Sequence, residues 1–157
     1  METEIIIKEA KGKDDFKVVQ KGLMIETINK VNQVIHYIDL TYLQQDIFMQ
    51  GWIGFRTVDQ LKEILSGHFT TYFQRYKSKK VLVDATRMTG SFVEANEWMA
   101  NELMPKLIDM GLQNIATALP QNVFAQLSAD DWIKKIKGLD SRMFGSFEEA
   151  LNWIKKI

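Results

Sequence analysis

The chain contains no cysteine and only two prolines. Without thiols there is no disulfide framework, no thiolate nucleophile and no zinc site built on sulfur. Its 20 basic and 20 acidic side chains cancel, which removes the excess positive field that would draw nucleic acid or an anionic membrane surface. No run approaches the ~18 apolar residues of a membrane span, and residues 1–8 lack the apolar stretch of a signal peptide. These absences set the expectation of a cytoplasmic protein without a metal, a redox cofactor, a nucleic-acid partner or an integral membrane segment.

Hydrophobic residues at 46% in a chain of 157 suffice for one sizeable core and fall short of two comfortable ones, so a single domain is expected. In the second half, three short apolar runs are each followed by an amphipathic stretch opened by a serine: 81–85 then Ser91, 115–119 then Pro120 and Ser128, 142–144 then Ser146. Strands alternating with helices at this spacing imply a parallel sheet with crossover helices. The first fifty residues alternate apolar and polar positions instead, and 18–19, 23–28, 34–38 and 43–49 read as an antiparallel meander. Residues 4–8 form either a first strand or a frayed arm before the polar stretch 11–15.

Thr57 and Gln60 form a capping box, after which Leu61, Ile64, Leu65, Phe69, Tyr72, Phe73 and Tyr76 recur on one helical face. Lys77, Lys79 and Lys80 suit the negative end of that helix better than a nucleic-acid patch. Residues 81–85 read as a central buried strand with Asp84 at its carboxyl end. Ser91 with Glu94 is expected to cap the next helix, which Pro105 should kink or break near Leu103. Residues 121–127 read as a short helical turn, Ser128 with Asp131 as the cap of a further helix, and Ser146 with Glu149 as the cap of the last. The fold class is therefore α/β, a mixed sheet carrying about four helices.

Two stretches of this chain resemble the bacterial SpoIIAA-like group of STAS/SEC14-type domains. They are Val81-Leu82-Val83-Asp84, and Arg142-Met143-Phe144 followed by Glu149-Ala150-Leu151-Asn152-Trp153-Ile154. The likeness covers roughly 34–157 in order of elements. It implies a STAS/SpoIIAA-like domain over 31–157, preceded by a strand extension over 1–30, that serves as a binding or regulatory module. Anti-anti-sigma members carry Asp-Ser-Ser/Thr-Gly before the helix, with a phosphorylated hydroxyl residue. The loop here reads Ala85-Thr86-Arg87-Met88-Thr89-Gly90-Ser91, which lacks that aspartate and leaves Ser91 as the phosphorylation candidate.

Ligands of open α/β sheets collect outside the carboxyl ends of the strands. That rim offers Asp84, Thr86, Arg87, Thr89 and Ser91 on one loop and Asn122 beside Gln121 on the other, with Trp98 and Met99 on the helix behind. Taken singly, Asp84 is a turn acceptor and Ser91 a helix cap; together the loops suit a small, partly apolar or anionic ligand, with Arg87 at a head group. His36 and His68 have no second histidine at ligand spacing, so neither is expected to hold a metal. No Gly-x-Ser-x-Gly elbow or phosphate-binding glycine loop occurs, and no enzymatic activity is expected. The two function classes left open are a non-catalytic ligand-binding module and a regulator that meets a partner protein through the 86–91 loop. An exposed edge strand near the amino terminus would favour a homodimer.

Overall fold

The computed structural model describes residues 3–9 and 15–157; most of the polar stretch expected at 11–15, residues 11–14, lies outside them. Among the described residues, eight strands form one sheet in sequence order. They are β1 (Glu4–Lys8), β2 (Lys17–Lys21), β3 (Met24–Ile28), β4 (Val34–Asp39), β5 (Ile47–Gly54), β6 (Lys80–Met88), β7 (Asn114–Ala118) and β8 (Asp140–Phe144). Strands β1 to β5 pair antiparallel, and β5 to β8 pair parallel. The sheet is continuous across residue 30, because β3 pairs with β4 over five registered positions.

The helical segments are α1 (Val58–Ile64), α2 (Thr70–Tyr76), α3 (Asn96–Trp98), α4 (Met104–Asp109), α5 (Val123–Lys135) and α6 (Phe147–Lys156). Among the described residues six segments stand where about four helices were expected, because a kink splits one run and a π-helical turn another. Leu65–Phe69 separates α1 from α2, and Met99–Leu103 separates α3 from α4. In the first, Gly67 leaves helical geometry (φ −92°, ψ −113°). In the second, Leu103 and Met104 keep right-handed helical backbone and Met104 N–H bonds back to Met99 O, so the kink or break expected near Leu103 takes the form of a π-helical turn in a continuous run that leads into Pro105.

Three successive crossovers step across the sheet in one direction, so their helices fall on one face. That front face carries the main core: Phe48, Trp52, Val81 and Ile115 from the sheet meet Leu61, Phe69, Phe73, Leu103 and Leu107 from the helices. The helix after β8, α6, lies on the back, where Ala150 and Ile154 pack on Ile47, Met49, Leu82 and Ala116.

Several local expectations are corrected. Residues 43–49 are not one strand: Leu40–Gln45 forms a 3-10 turn capped by Asp39, and β5 begins only at Ile47. The strand read at 81–85 runs from Lys80 to Met88, so Asp84 sits mid-strand; a bulge between the Gly51↔Asp84 and Ile53↔Arg87 pairs lets pairing continue. Ser128 does not cap a helix. It lies inside α5, which starts five residues earlier because the Asn122 side chain accepts from Ala125 N–H at 3.2 Å. The Ser91–Glu94 box is absent as well, and the helical run opens as a 3-10 turn (Val93–Ala95) without a side-chain cap at Phe92.

Candidate functional site

Between the front of the sheet and the helices lies a cavity of about 90 Å³. Trp52, Val83, Ala85 and Thr117 contribute to its floor, and Leu61, Leu65, Phe69, Met99, Leu103 and Met104 to its roof. The space follows from the backbone. The π-helical turn at Met99–Leu103 adds a residue and widens one roof helix, and the kink at Gly67 interrupts the other, both directly above the cavity. Met88, Met99, Met104 and Met143 supply four flexible, polarisable walls. Among the described residues no charged side chain lines it; its polar side chains are Gln50 and Thr117.

A buried polar chain supports the floor from the antiparallel half. Thr27 Oγ1 meets His68 Nε2 at 2.9 Å, the His68 and His36 rings stand 5.9 Å apart, and His36 Nε2 meets Gln50 Oε1 at 2.7 Å. His36 also packs against Trp52, with ring centroids 4.4 Å apart. Burial pulls both imidazoles down from 6.5, His36 to about 3 and His68 to about 4; the neighbouring His68 adds to the first shift and Lys8 to the second. Both are therefore neutral at pH 7. His36 Nδ1 has no partner among the described residues.

The strand ends above the cavity carry a second arrangement that no sequence pattern announced. Arg56 is 1% exposed, and its guanidinium donates to the carbonyls of Thr89 at 2.8 Å and Ser91 at 3.0 Å, between the rings of Phe55 and Phe92. Burial lowers its pKa from the ordinary arginine value to about 10, which leaves it charged at pH 7. Asn122 Oδ1 accepts from Gly90 N–H at 3.2 Å and so ties the two rim loops together. The hydroxyl of Ser91 meets that of Ser128 at 3.0 Å, and Ser128 Oγ also accepts from Phe92 N–H. Ser128 is thus a tertiary clamp between α5 and the 89–92 loop.

The expected site residues divide into three groups. Met99 lines the cavity, and Trp98 does not; it stands partly buried beside Lys62, whose ammonium is 5.9 Å from its ring. Thr89, Ser91 and Asn122 meet at the rim as described, with Thr89 held through its carbonyl. Asp84, Thr86 and Arg87 lie apart from the cavity. Asp84 accepts from the Thr86 amide at 3.0 Å and the Thr86 hydroxyl at 2.6 Å. Arg87 is exposed and hydrogen-bonds Tyr37, which packs with the back cluster. Asp84 and burial together push the Tyr37 hydroxyl up from 10.

No protein-family model, curated protein or solved structure matches this chain. The reading of its site therefore rests on its own geometry. Around the tied rim loops, Phe55, Val93, Val123, Phe124 and Leu127 are exposed apolar side chains. Among the described residues no group of three or more histidine and acidic side chains gathers as a metal site would need, and no helix is long and apolar enough to cross a membrane.

Proposed function

We propose that this chain is a non-catalytic binding module that holds a small, mostly apolar ligand in the cavity between the sheet and the two irregular helices that roof it. The observation that carries this reading is the cavity itself. A space of about 90 Å³ lined by well-packed apolar side chains represents unused dispersion contacts that a tight core would otherwise make. The methionine walls let such a site adapt to its occupant. The order of elements, four strand-helix units in sequence with the strand extension before them, supports the STAS/SpoIIAA-like reading of residues 31–157. Arg56, Asn122 and Ser128 hold the rim loops over one end of the cavity, where Met88, Phe92 and Pro120 line it.

The test is ligand-dependent thermal unfolding across a panel of small apolar and acidic molecules. A ligand of the folded state raises Tm by mass action, and Ala129→Leu, which adds about three carbons to the cavity wall, cancels that rise while the chain stays folded. Equal rises in both proteins would place binding elsewhere, and no rise with any apolar molecule would remove the reading.

The exposed apolar side chains around the rim favour a second reading, a regulatory protein that docks a partner there, with Ser91 as a modification point. Under it, Phe124→Asp abolishes partner capture and Ser91→Ala abolishes its control; under the cavity reading neither changes ligand affinity.

A further inference from the structure

The cavity floor narrows the ligand further, and this inference rests on the reading of the cavity as a ligand site. Strand register places Gln50 beside Val83 and Val83 beside Thr117. Gln50 and Thr117 therefore share the front face two strands apart, with Cα atoms about 10 Å from each other and Val83 between them. Both line the cavity and both are more than nine-tenths buried, at 6% and 8% exposure.

Gln50 is not free to turn. A neutral imidazole has one N–H, and the His36 nitrogen facing Gln50 Oε1 at 2.7 Å must carry it in order to donate. That bond occupies the carboxamide oxygen and leaves the NH₂ for the cavity. Among the described residues the Gln50 NH₂ and the Thr117 hydroxyl have no protein hydrogen-bond partner. Neither atom is among the fully sealed, unpartnered side-chain atoms, so each stays open to a small molecule, and a hydrocarbon in the cavity would leave both donors unmet. A charged ligand fits no better, because no side chain of opposite charge lines the site.

We infer that the ligand is a small uncharged carbonyl compound, a short-chain ketone, aldehyde or amide, with the Gln50 NH₂ and the Thr117 hydroxyl as its hydrogen-bond donors. Its hydrocarbon lies against the methionine walls. A cavity of about 150 Å³ takes benzene, so about 90 Å³ suits about four non-hydrogen atoms, with a fifth admitted where the methionine walls shift.

The experiment titrates the full chain, labelled at its methionine methyl groups, with xenon, 2-butanone, the equally shaped hydrocarbon 2-methyl-1-butene, and butanoate. Signals of Met88, Met99, Met104 and Met143 report occupancy. The ratio of hydrocarbon to ketone dissociation constants cancels differences in wall contact, and it falls about fivefold when a donor is removed in Gln50→Leu or Thr117→Val. Leucine at position 50 also strips His36 of its partner, so the isosteric Thr117→Val decides should the first variant not fold. A fall in either variant, with butanoate the weaker ligand, supports the assignment. A ratio unchanged in every variant that folds, tighter binding of butanoate, or a response to xenon alone overturns it while leaving the cavity a site. No response to any of the four probes would overturn the ligand reading beneath it.

Discussion

The imidazole rings of His36 and His68 stand 5.9 Å apart at an interplanar angle of 72°, one on β4 and the other in the kinked segment Leu65–Phe69. They join the antiparallel half of the sheet to the helix that roofs the cavity. Both are held neutral by burial, and this makes the fold sensitive to acid.

The unfolded chain takes up protons at these two residues near pH 6.5, whereas the folded chain resists until about pH 4 at His68 and about pH 3 at His36. Between those limits the unfolded state binds more protons, so stability is complete above pH 6.5 and falls as pH drops. Each histidine removes about 1.4 kcal/mol per pH unit over its window. Urea unfolding at pH 7, 6 and 5 is expected to show that loss, and His68→Gln is expected to reduce its slope by about half. Equal stability at pH 7 and 5 would contradict the buried neutral pair.

On the back of the sheet, the ring of Tyr37 occupies the space that a Cβ on its cross-strand neighbour Gly51 would need. Gly51→Ala must displace that ring and its bond to Arg87. A cost of about 1–3 kcal/mol is expected in chemical denaturation. Gly51→Ala combined with Tyr37→Ala is expected to cost less than the two single changes summed, since the double variant relieves the clash.

Arg56 donates from two nitrogens to three successive carbonyls, those of Thr89, Gly90 and Ser91, a spread that the compact ammonium of lysine does not reproduce. Arg56→Lys is expected to lower stability by roughly 1–3 kcal/mol. It is also expected to speed amide exchange at Thr89 and Gly90, which now donate to Gly54 O and Asn122 Oδ1. Unchanged exchange at these two amides would mean that the loop is held without the guanidinium.

Asn122 combines two roles, cap of α5 and tie to Gly90. Asn122→Asp keeps an acceptor for both and is expected to change stability little, while Asn122→Ala is expected to lose about 1–2 kcal/mol. Equal stability of the two variants would remove the tie from the account.

The pattern of these results explains which parts of the fold could be read from sequence. The Thr57–Gln60 box was legible because both its bonds, 3.0 and 2.9 Å, close within one helical turn. Ser91 and Ser128 carry the same local signature, but Ser128 turns its hydroxyl to the Phe92 amide from another element, and spacing within a segment does not record that. The α5 cap was missed for a related reason: Asn122 is followed by Val123 and Phe124, apolar residues that lie exposed and break the expected amphipathic pattern.

Met99 was readable as a wall residue from the methionine and aromatic stripe around it. Gln50 and Thr117 were not, since a polar residue in a strand ordinarily faces water, and only the sheet register shows them turned inward beside Val83. Proline marked an irregularity near Leu103, which is a π-helical turn, whereas the kink at Gly67 has only a glycine to mark it. Arg56 gave no signal, because a lone arginine before a helix cap is ordinarily solvated; its burial depends on carbonyls more than thirty residues away.

The most direct measurement of the central claim is native mass spectrometry of the chain purified gently from its own host, followed by the same sample denatured. The account predicts a mass excess of a small molecule that disappears on denaturation and is absent from Ala129→Leu prepared in the same way. A bare chain in both preparations, or an excess that survives denaturation as a covalent group in the 86–91 loop, would contradict it.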